Sequence, residues 1–323
     1  MEQTLKKLEE LLANHPRFGV ISHVRPDGDA YGTSLALAWM LKAIGKEVWV
    51  FNQDGLNASY QYLPGSEWVQ ATPNSGIPED LTLVAVDTST YERLGENLSR
   101  TRRIPELNLD HHGSNTLYGH LNWVKGDSPA SAQVLFEVME ALKLPLSRES
   151  ATNLYVGLMT DTGSFRYRGT TARTLQIAAR LVEAGADPAY LADQSYRRCS
   201  LARFFLMKEV LASTQFRAGH RVAYYRLTPE MFARTGATAD EVENFLDILQ
   251  TIDTVEVAFM LQEIEPGVTR VSLRSRAAVD VSRLASKFGG GGHKLAAGIR
   301  STLPTDELEA TLLREIETNL PPV

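Results

Sequence analysis

Ile104-Pro-Glu-Leu-Asn-Leu-Asp110-His111-His112 is the stretch of the sequence that decides the fold class. An apolar run of strand length leads directly into one carboxyl group and two imidazoles. In an open α/β sheet, ligands bind in the loops that follow the carboxyl ends of the strands. The stretch therefore predicts a buried strand whose end carries functional side chains, provided that other strands end in the same way.

Three further apolar segments also end in acids or histidines. The run Phe18-Gly-Val-Ile-Ser22 is followed by His23-Val-Arg-Pro-Asp27-Gly-Asp29, and a leucine- and valine-rich run is followed by Asp87. A fourth apolar run, which we interpret as a helix turning into a loop, reaches Asp161. We therefore expect these side chains to meet at one edge of a sheet.

The order of the elements predicts an α/β protein with two domains. A strand at 18–22, a sharp Pro-Asp-Gly turn and a helix at 30–44 form the first half of a βαβ unit, which implies a mostly parallel sheet flanked by helices. Further strands are predicted at 47–51, 81–86, 104–109 and 120–124, with helices near 91–99, 129–142, 148–160 and 170–185. After residue 220 the predicted strands are 221–226, 255–261 and 269–274, with helices at 240–252 and 281–288. We expect a catalytic domain over 1–185, a helical connector over 186–216 and a smaller α/β domain over 217–323.

Composition excludes several classes of protein. The net charge of −6 argues against a protein that coats long nucleic acid, so a polyanionic substrate should be small. The single cysteine, Cys199, excludes an internal disulfide and a thiolate zinc site. No apolar run approaches the ~20 residues needed to span a membrane, and the N-terminus has the pattern of a charged helix and not of a signal peptide. A cytoplasmic protein without membrane contact is expected.

The acids and histidines at the strand ends indicate a metal site. Gathered at one edge, they would repel one another or shift their protonation unless cations lay among them. Two divalent ions ~3.5–4 Å apart, bridged by a carboxylate, would resolve this and could share the oxygens of a phosphoryl displacement. On spacing alone, His23 and Asp27 could share one ion while Asp29 faces the other. Carboxylate and imidazole ligands favour manganese, with magnesium, cobalt or zinc as alternatives. A turn or a helix cap would explain each motif alone, but not the whole set.

A second anion site is indicated by Gly289-Gly-Gly-Gly292-His293. Serial glycines let backbone N–H groups converge on an anion, and we expect a following helix to add its dipole. The alternative interpretation is a flexible hinge. Arg274-Ser-Arg276, at the end of a predicted strand, could grip a phosphate or carboxylate.

Taken in order, the motifs resemble those of the DHH/DHHA1 phosphoesterase family, and the resemblance covers almost the whole chain. Within that family the sequence is most similar to the short, stand-alone exonucleases that degrade nanoRNA and also dephosphorylate 3′-phosphoadenosine 5′-phosphate (pAp). The motifs that carry the resemblance are His23–Ala30, Val86–Ser89, Asp110–Gly113, Asp161–Gly163, Ser272–Ser275 and Phe288–His293.

The resemblance implies an active site in a cleft between a DHH domain and a DHHA1 domain. His23, Asp27 and Asp87 would hold one manganese ion; Asp29, Asp87, His111 and Asp161 would hold the other. His112 would contact the scissile phosphate, and Asp110 would orient a neighbouring histidine. Arg274, Gly289, Gly290, Gly291, Gly292 and His293 would bind the far end of the substrate. Tyr31 and Thr33 depart slightly from the family pattern beside the first motif, which bears on substrate preference only.

The implied reaction is in-line hydrolysis of short RNA of about two to five nucleotides, or of pAp, with metal ions activating water. A phosphodiesterase for pApA or cyclic di-AMP would use the same ligands. A long-strand DNA exonuclease fits the acidic chain less well, and a pyrophosphatase would not need the glycine run. A non-catalytic nucleotide sensor is the alternative of another class, and the loss of a ligand would favour it. The sequence is also compatible with a homodimer.

Overall fold

The computed structural model describes residues 2–242, 245–276 and 278–322. The chain divides into two compact units, Met1–Arg198 and Cys199–Val323. The segment 186–216, predicted as a connector, contributes one helix to the first unit and a helix with a short strand to the second. The predicted α/β class is confirmed.

The first unit is built on a six-stranded parallel sheet with the strand order β3-β2-β1-β4-β5-β6. The order reverses between β1 and β4, which are neighbours, so the sheet has its topological switch point there, where α/β folds bind ligands. The strands are β1 (Arg17–Ile21), β2 (Glu47–Asn52), β3 (Val69–Ala71), β4 (Thr82–Val86), β5 (Leu107–Asp110) and β6 (Leu121–Val124).

Helices cover this sheet. They are α1 (Glu2–Asn14), α2 (Gly28–Ala43), α3 (Glu96–Ser99), α4 (Ser131–Leu142), α5 (Arg148–Asp161), α6 (Ala172–Glu183) and α7 (Pro188–Tyr196). The core of the unit is formed mainly by β1, β4, α2, α4 and α5, and helix α2 is buried along nearly its whole length.

Two glycines let α2 and α5 cross closely. A Cβ atom on Gly32 would lie 2.5 Å from the backbone oxygen of Asn153, and one on Gly157 would lie 2.6 Å from Asp29 Oδ1. Neither helix could approach the other so closely with a larger residue at these positions. The crossing brings Asp29, at the start of α2, towards the end of α5, where Asp161 lies.

Two boundaries in this unit differ from the predictions. The strand expected at 104–109 begins only at Leu107, because Pro105 has no N–H to donate to the neighbouring strand. At its other end the strand includes Asp110. The helix expected near 91–99 is a 3₁₀ turn, Tyr91–Leu94, followed by the short α3. Gly95, with φ of 105°, separates them, because this φ lies outside the helical range.

The second unit contains a mixed six-stranded sheet with the order β11-β12-β10-β9-β8-β7. Its strands are β7 (Gln215–Arg217), β8 (Val222–Leu227), β9 (Val257–Glu265), β10 (Val268–Ser275), β11 (Gly291–His293) and β12 (Ala296–Ser301). Its helices are α8 (Leu201–Ser213), α9 (Pro229–Thr235), α10 (Phe245–Leu249), α11 (Val281–Ser286) and α12 (Thr305–Asn319). Apolar side chains are packed on both faces of the sheet, with α11 and α12 on one face and α8 and α10 on the other.

Two predictions in this unit are wrong. The helix expected over 240–252 is reduced to a 3₁₀ turn, Ala239–Val242, and the short α10; residues 243 and 244 lie outside the described residues. The helix expected after the glycine run is a strand, since β11 and β12 form a hairpin. Two glycines lie against β12: a Cβ atom on Gly290 would be 2.2 Å from Gly298 O, and one on Gly292 would be 2.5 Å from Ala296 O.

In the described part of the chain, no helix is both long and apolar enough to cross a membrane.

Candidate metal centre

His23, Asp27 and Asp87 form the first cluster of potential metal ligands. One ligand atom of each lies within 4.8 Å of the others. His23 Nε2 is 3.4 Å from Asp87 Oδ2 and 3.9 Å from Asp27 Oδ1. His23 follows β1 and Asp87 follows β4, so the cluster lies at the switch point of the sheet.

Asp29, His111 and Asp161 form a second cluster with the same spread of ligand atoms. His111 Nε2 lies 3.2 Å from Asp161 Oδ2. These residues come from the start of α2, the loop after β5 and the last residue of α5. Tertiary folding thus brings together three segments that are far apart in the sequence.

Asp87 lies between the two clusters. Its Oδ2 faces His23, while its Oδ1 is 3.5 Å from His111 Nε2. Its backbone φ is 52°, which is uncommon for a residue other than glycine and is often found at functional sites. The two oxygens of one buried carboxyl group therefore face different sets of ligands.

Backbone carbonyls fix the orientation of both imidazoles in the clusters. His23 Nδ1 is 2.8 Å from Val24 O, and His111 Nδ1 is 3.2 Å from Ser128 O. A carbonyl oxygen only accepts, so Nδ1 carries a proton in each ring, and Nε2 is left as the ring atom that could bind a metal ion. Histidines that bind metals are commonly held in this way.

The N-terminus of α4 holds Asp29 in place. The backbone N–H of Ala132 donates to Asp29 Oδ1 at 2.9 Å, and the Thr33 hydroxyl donates to the same oxygen at 3.0 Å. Ser131 donates its backbone N–H to Asp29 Oδ2 and its hydroxyl to Asp87 Oδ1 at 2.9 Å. Residue 130 has no capping side chain, so Asp29 caps this helix from a distant part of the chain.

His112 forms a third group of potential ligands with Asp87 and His111, but its ring is held differently from that of His111. Its Nδ1 is 2.7 Å from Asp110 Oδ1, so its proton faces a carboxyl group and not a backbone carbonyl. Asp110 is fully buried, and its second oxygen accepts a hydrogen bond from Asn115 Nδ2. Asp110 thus contacts His112, and its predicted role in orienting a histidine stays a prediction.

Crowding of the carboxyl groups shifts their protonation. Burial, followed by the charge of Asp87, raises the pKa of Asp29 to about 8. Burial and the neighbouring aspartates raise the pKa of Asp161 well above its usual value. Burial alone would also raise the pKa of Asp87, but contacts with the histidines outweigh it and lower that pKa. Burial would lower the pKa of His23 and of His111, but nearby aspartates raise each above its usual value.

These observations fit a centre for divalent cations. The donor set consists of carboxylate oxygens and imidazole nitrogens, which suits manganese and related ions. Carboxyl groups with raised pKa values need positive charge before they can all ionise together. The residues present therefore match the metal site that the sequence predicts.

In the second unit, the candidate anion-binding residues share one face of the sheet. Arg274 of β10 pairs with Ala296 of β12, which in turn pairs with His293 of β11. Directly paired residues project to the same face, so Arg274 and His293 are two strands apart on that face. Arg274 Nε lies 3.8 Å from Asp247 Oδ1 of α10.

Arg276 does not share the environment of Arg274. Its Nε donates to Gln250 O and its Nη1 donates to Asp253 O, each at 3.0 Å. Its guanidinium group therefore ties the end of β10 to the segment that precedes β9. The predicted pairing of both arginines in a phosphate fork is not supported by these contacts.

Sequence reasoning overlooked two residues that touch the predicted site, Ser131 and Asn115. Ser131 stands at the start of a predicted helix, where serine is an ordinary cap, so nothing marked it as a partner of Asp87. Asn115 lies three residues after His112, and its proximity to that motif was the only available signal.

Comparison with known proteins gives consistent matches. The model of the "DHH family, N-terminal domain" matches residues 17–158, and that of the "DHHA1 domain" matches residues 219–320. The chain is 35% identical to the "Bifunctional oligoribonuclease and PAP phosphatase NrnA" of Thermus thermophilus, over 92% of this chain and 87% of that protein. It is 28% identical to the protein of the same name from Bacillus subtilis, over 92% of each chain. The crystal structure of an exopolyphosphatase-related protein from Bacteroides fragilis has the same fold, with a TM-score of 0.89 and 23% identity, covering 98% of this chain and 96% of that one.

Proposed function

Because the chain belongs to the DHH/DHHA1 phosphoesterase family and is therefore a phosphoester hydrolase, we propose that it degrades short RNA and dephosphorylates pAp. The products would be nucleoside 5′-monophosphates from RNA of about two to five nucleotides, a size that suits an acidic protein, and AMP with phosphate from pAp. The Thermus and Bacillus relatives are named for this pair of activities, which supports the proposal.

The observation that carries the proposal is the position of Asp87 between two clusters of ligands. We assign His23, Asp27 and Asp87 to one divalent ion, and Asp29, Asp87, His111 and Asp161 to a second. Manganese is the proposed ion, with magnesium, cobalt or zinc as alternatives. Bound divalent ions lower the pKa of water and neutralise charge on a phosphoryl group.

The protein's own residues orient the substrate around these ions. His112 is proposed to contact the scissile phosphate, because its Nδ1 is held by Asp110 and its Nε2 edge is turned away from that carboxyl group. A positioned imidazole can stabilise charge that develops on phosphate oxygens during displacement. Asp110 acts through His112 and needs no contact with the substrate.

The second unit is proposed to bind the part of the substrate that does not react. Arg274 and His293 present cationic or hydrogen-bonding groups on the same face of the sheet. The run Gly289–Gly292 is assigned to the same role, and Gly289 and Gly291 have open space where a side chain would be. The rest of an acidic protein surface would repel the additional phosphates of a longer strand, so binding by these residues favours small anionic ligands.

The decisive experiment is turnover of a substrate panel with manganese. The panel contains pAp, RNA of two to five nucleotides, pApA, cyclic di-AMP, a long single strand and pyrophosphate. We expect kcat/KM to be highest for pAp or the short RNA and to fall as the strand lengthens.

Other outcomes would redirect the assignment. A flat or rising dependence on length would indicate an exonuclease for long strands. Preference for pApA or cyclic di-AMP would indicate a phosphodiesterase for those compounds. Tight binding of pAp without turnover, in protein shown to hold manganese, would indicate a nucleotide sensor.

A further inference from the structure

We infer that Asn115 is a positioning residue that holds Asp110 and, through it, the ring of His112. The inference rests on the proposed function, in which His112 meets the scissile phosphate. Asn115 lies in the loop between β5 and β6 and is partly buried. In the part of the chain that the structure describes, Asn115 makes no hydrogen bond to the residues of the two clusters defined above, and Asp110 is its link to His112.

The carboxamide of Asn115 has a single possible orientation. Its Nδ2 donates to Asp110 Oδ2 at 2.6 Å and to Thr88 O at 3.1 Å. Its Oδ1 accepts from Asn108 Nδ2 at 3.0 Å and from the backbone N–H of Leu117 at 2.7 Å. A flipped amide would place an acceptor against two acceptors and a donor against two donors. The surrounding groups therefore specify an N–H donor at the point where Asp110 needs one.

The N–H donor of Asn115 determines how firmly Asp110 holds the ring of His112. Asp110 is fully buried, and among the described residues each of its oxygens has one hydrogen-bond donor: Oδ1 accepts from His112 Nδ1, and Oδ2 accepts from Asn115 Nδ2. Without Asn115, a buried oxygen loses its partner, and the carboxyl group is free to rotate away from the histidine. A carboxyl group that is itself held in place keeps both the orientation and the tautomer of the imidazole.

A competing interpretation is that Asn115 only ties its loop to the segment after Asp87, through Thr88 O. Tyr118 separates the two interpretations, because its hydroxyl donates to the same carbonyl at 3.1 Å. Among the described residues, the Tyr118 hydroxyl makes no hydrogen bond to Asp110. Tyr118→Phe therefore removes a comparable bond to the loop and leaves the support of Asp110 intact.

The kinetic test compares Asn115→Ala and Asn115→Asp with Tyr118→Phe. The aspartate variant keeps the shape of the side chain but replaces the donor with an oxygen. We expect both variants of Asn115 to lower kcat by ~10–100-fold, with KM and bound metal within ~2-fold of wild type. Tyr118→Phe should stay within ~3-fold of wild type. Equal losses in the Asn115 variants and in Tyr118→Phe would show that the loop contact is what matters.

A double-mutant cycle tests the route through Asp110. In an Asp110→Asn background, adding Asn115→Ala should lower kcat by less than ~3-fold, because the group it positions is already altered. Fully additive losses would overturn the inference.

A spectroscopic measurement decides the same point without relying on turnover. In the magnesium-loaded protein with ¹⁵N-labelled histidine, the Nδ1–H signal of His112 is identified by its absence from His112→Ala. It should shift or broaden in both variants of Asn115 and remain in place in Tyr118→Phe. An unchanged signal in the Asn115 variants refutes the positioning role. If wild type instead hydrolyses nothing in the substrate panel, the proposed function fails, while this signal still reports on Asn115.

Discussion

Ser131 and Asp29 are joined by a hydrogen bond of 2.6 Å from the Ser131 backbone N–H to Asp29 Oδ2. The bond connects residues 102 positions apart and makes a predicted metal ligand the cap of helix α4. The hydroxyl of Ser131 reaches Asp87 as well, so one residue supports both clusters of ligands. Helix stability and the geometry of the metal centre are therefore coupled.

Ser131→Ala should weaken metal binding while the protein stays folded. The variant loses the hydroxyl bond to Asp87 but keeps the backbone bond to Asp29, so we expect affinity for manganese to fall by ~10-fold. Titration calorimetry measures this affinity. Ser99→Ala is the control, because that partly buried hydroxyl in the same unit donates to the backbone oxygen of Gly95. Equal effects in the two variants would argue against a role for the Ser131 hydroxyl.

Asp87→Ala should abolish hydrolysis and reduce bound manganese, because the two oxygens of this carboxyl group face different sets of potential ligands. Metal content by mass spectrometry, together with circular dichroism, checks the result. Asp127→Ala, an exposed aspartate of the same unit, should leave both quantities unchanged. Near-normal activity with two ions retained in Asp87→Ala would falsify the assignment of a bridging carboxylate.

The adjacent histidines should respond differently to the same substitution. His112→Ala should lower kcat by ~10²–10³-fold and keep both ions, as for the loss of one charge-stabilising donor. His111→Ala should lose metal, because its Nε2 faces Asp87 and Asp161. Parallel measurements of metal content and kcat in the two variants decide the matter. Metal loss in His112→Ala would mean that the two roles are interchanged.

The stabilisation that metal provides should grow as pH rises from about 5 to 8. In the folded, metal-free protein Asp29 keeps its proton up to its raised pKa of about 8, whereas in the unfolded chain it ionises near 3.8. Folding therefore takes up a proton in this range, and stability without metal falls as pH increases. The raised pKa values of Asp161, His23 and His111 act in the same direction. The lowered pKa of Asp87 contributes stability that is lost only as pH falls below its ordinary range.

Metal binding requires ionised carboxylates and neutral imidazoles. With metal bound, folding no longer takes up these protons, so the loss of stability with rising pH should disappear. Thermal melts with EDTA and with manganese, recorded across this pH range, should show a widening difference in Tm. Calorimetry in buffers of different ionisation enthalpy should detect proton release on binding. A difference in Tm that is constant or shrinks with increasing pH would contradict the prediction.

Arg274→Ala should mainly raise KM for short RNA, because the proposed contact with the substrate would exist in the ground state and the transition state alike. Arg276→Ala is the matched control, since that guanidinium group is bound to backbone carbonyls. Arg276→Ala should lower the free energy of unfolding by about 1–2 kcal/mol through lost hydrogen bonds, and it should change KM little. Steady-state kinetics and melts of both variants separate the two roles. An unchanged KM in Arg274→Ala would remove it from the substrate site.

The sequence by itself determined the α/β class and the residues that meet at the sheet edge. Alternation between apolar runs and turns is a local property, and in a parallel sheet strand ends necessarily lie at a shared edge. His23, Asp87 and His111 could therefore be placed together from their positions after three apolar runs. The family resemblance added the expected roles, and the matches to the DHH and DHHA1 models confirm the family.

Only the tertiary structure decided how these residues are held. The bonds from Ser131 to Asp29 and to Asp87 depend on where α4 lies relative to α2 and β4, and no local pattern encodes such a distance. The sequence predicts a helix after the glycine run, whereas pairing with β12 makes the end of the run part of a hairpin. Four consecutive glycines have no apolar periodicity from which a strand could be recognised. In the same way, the orientation of the Asn115 amide follows from four partners contributed by other segments and by its own loop. Local sequence specifies elements and their ends, whereas hydrogen bonds between distant side chains exist only after the elements have packed.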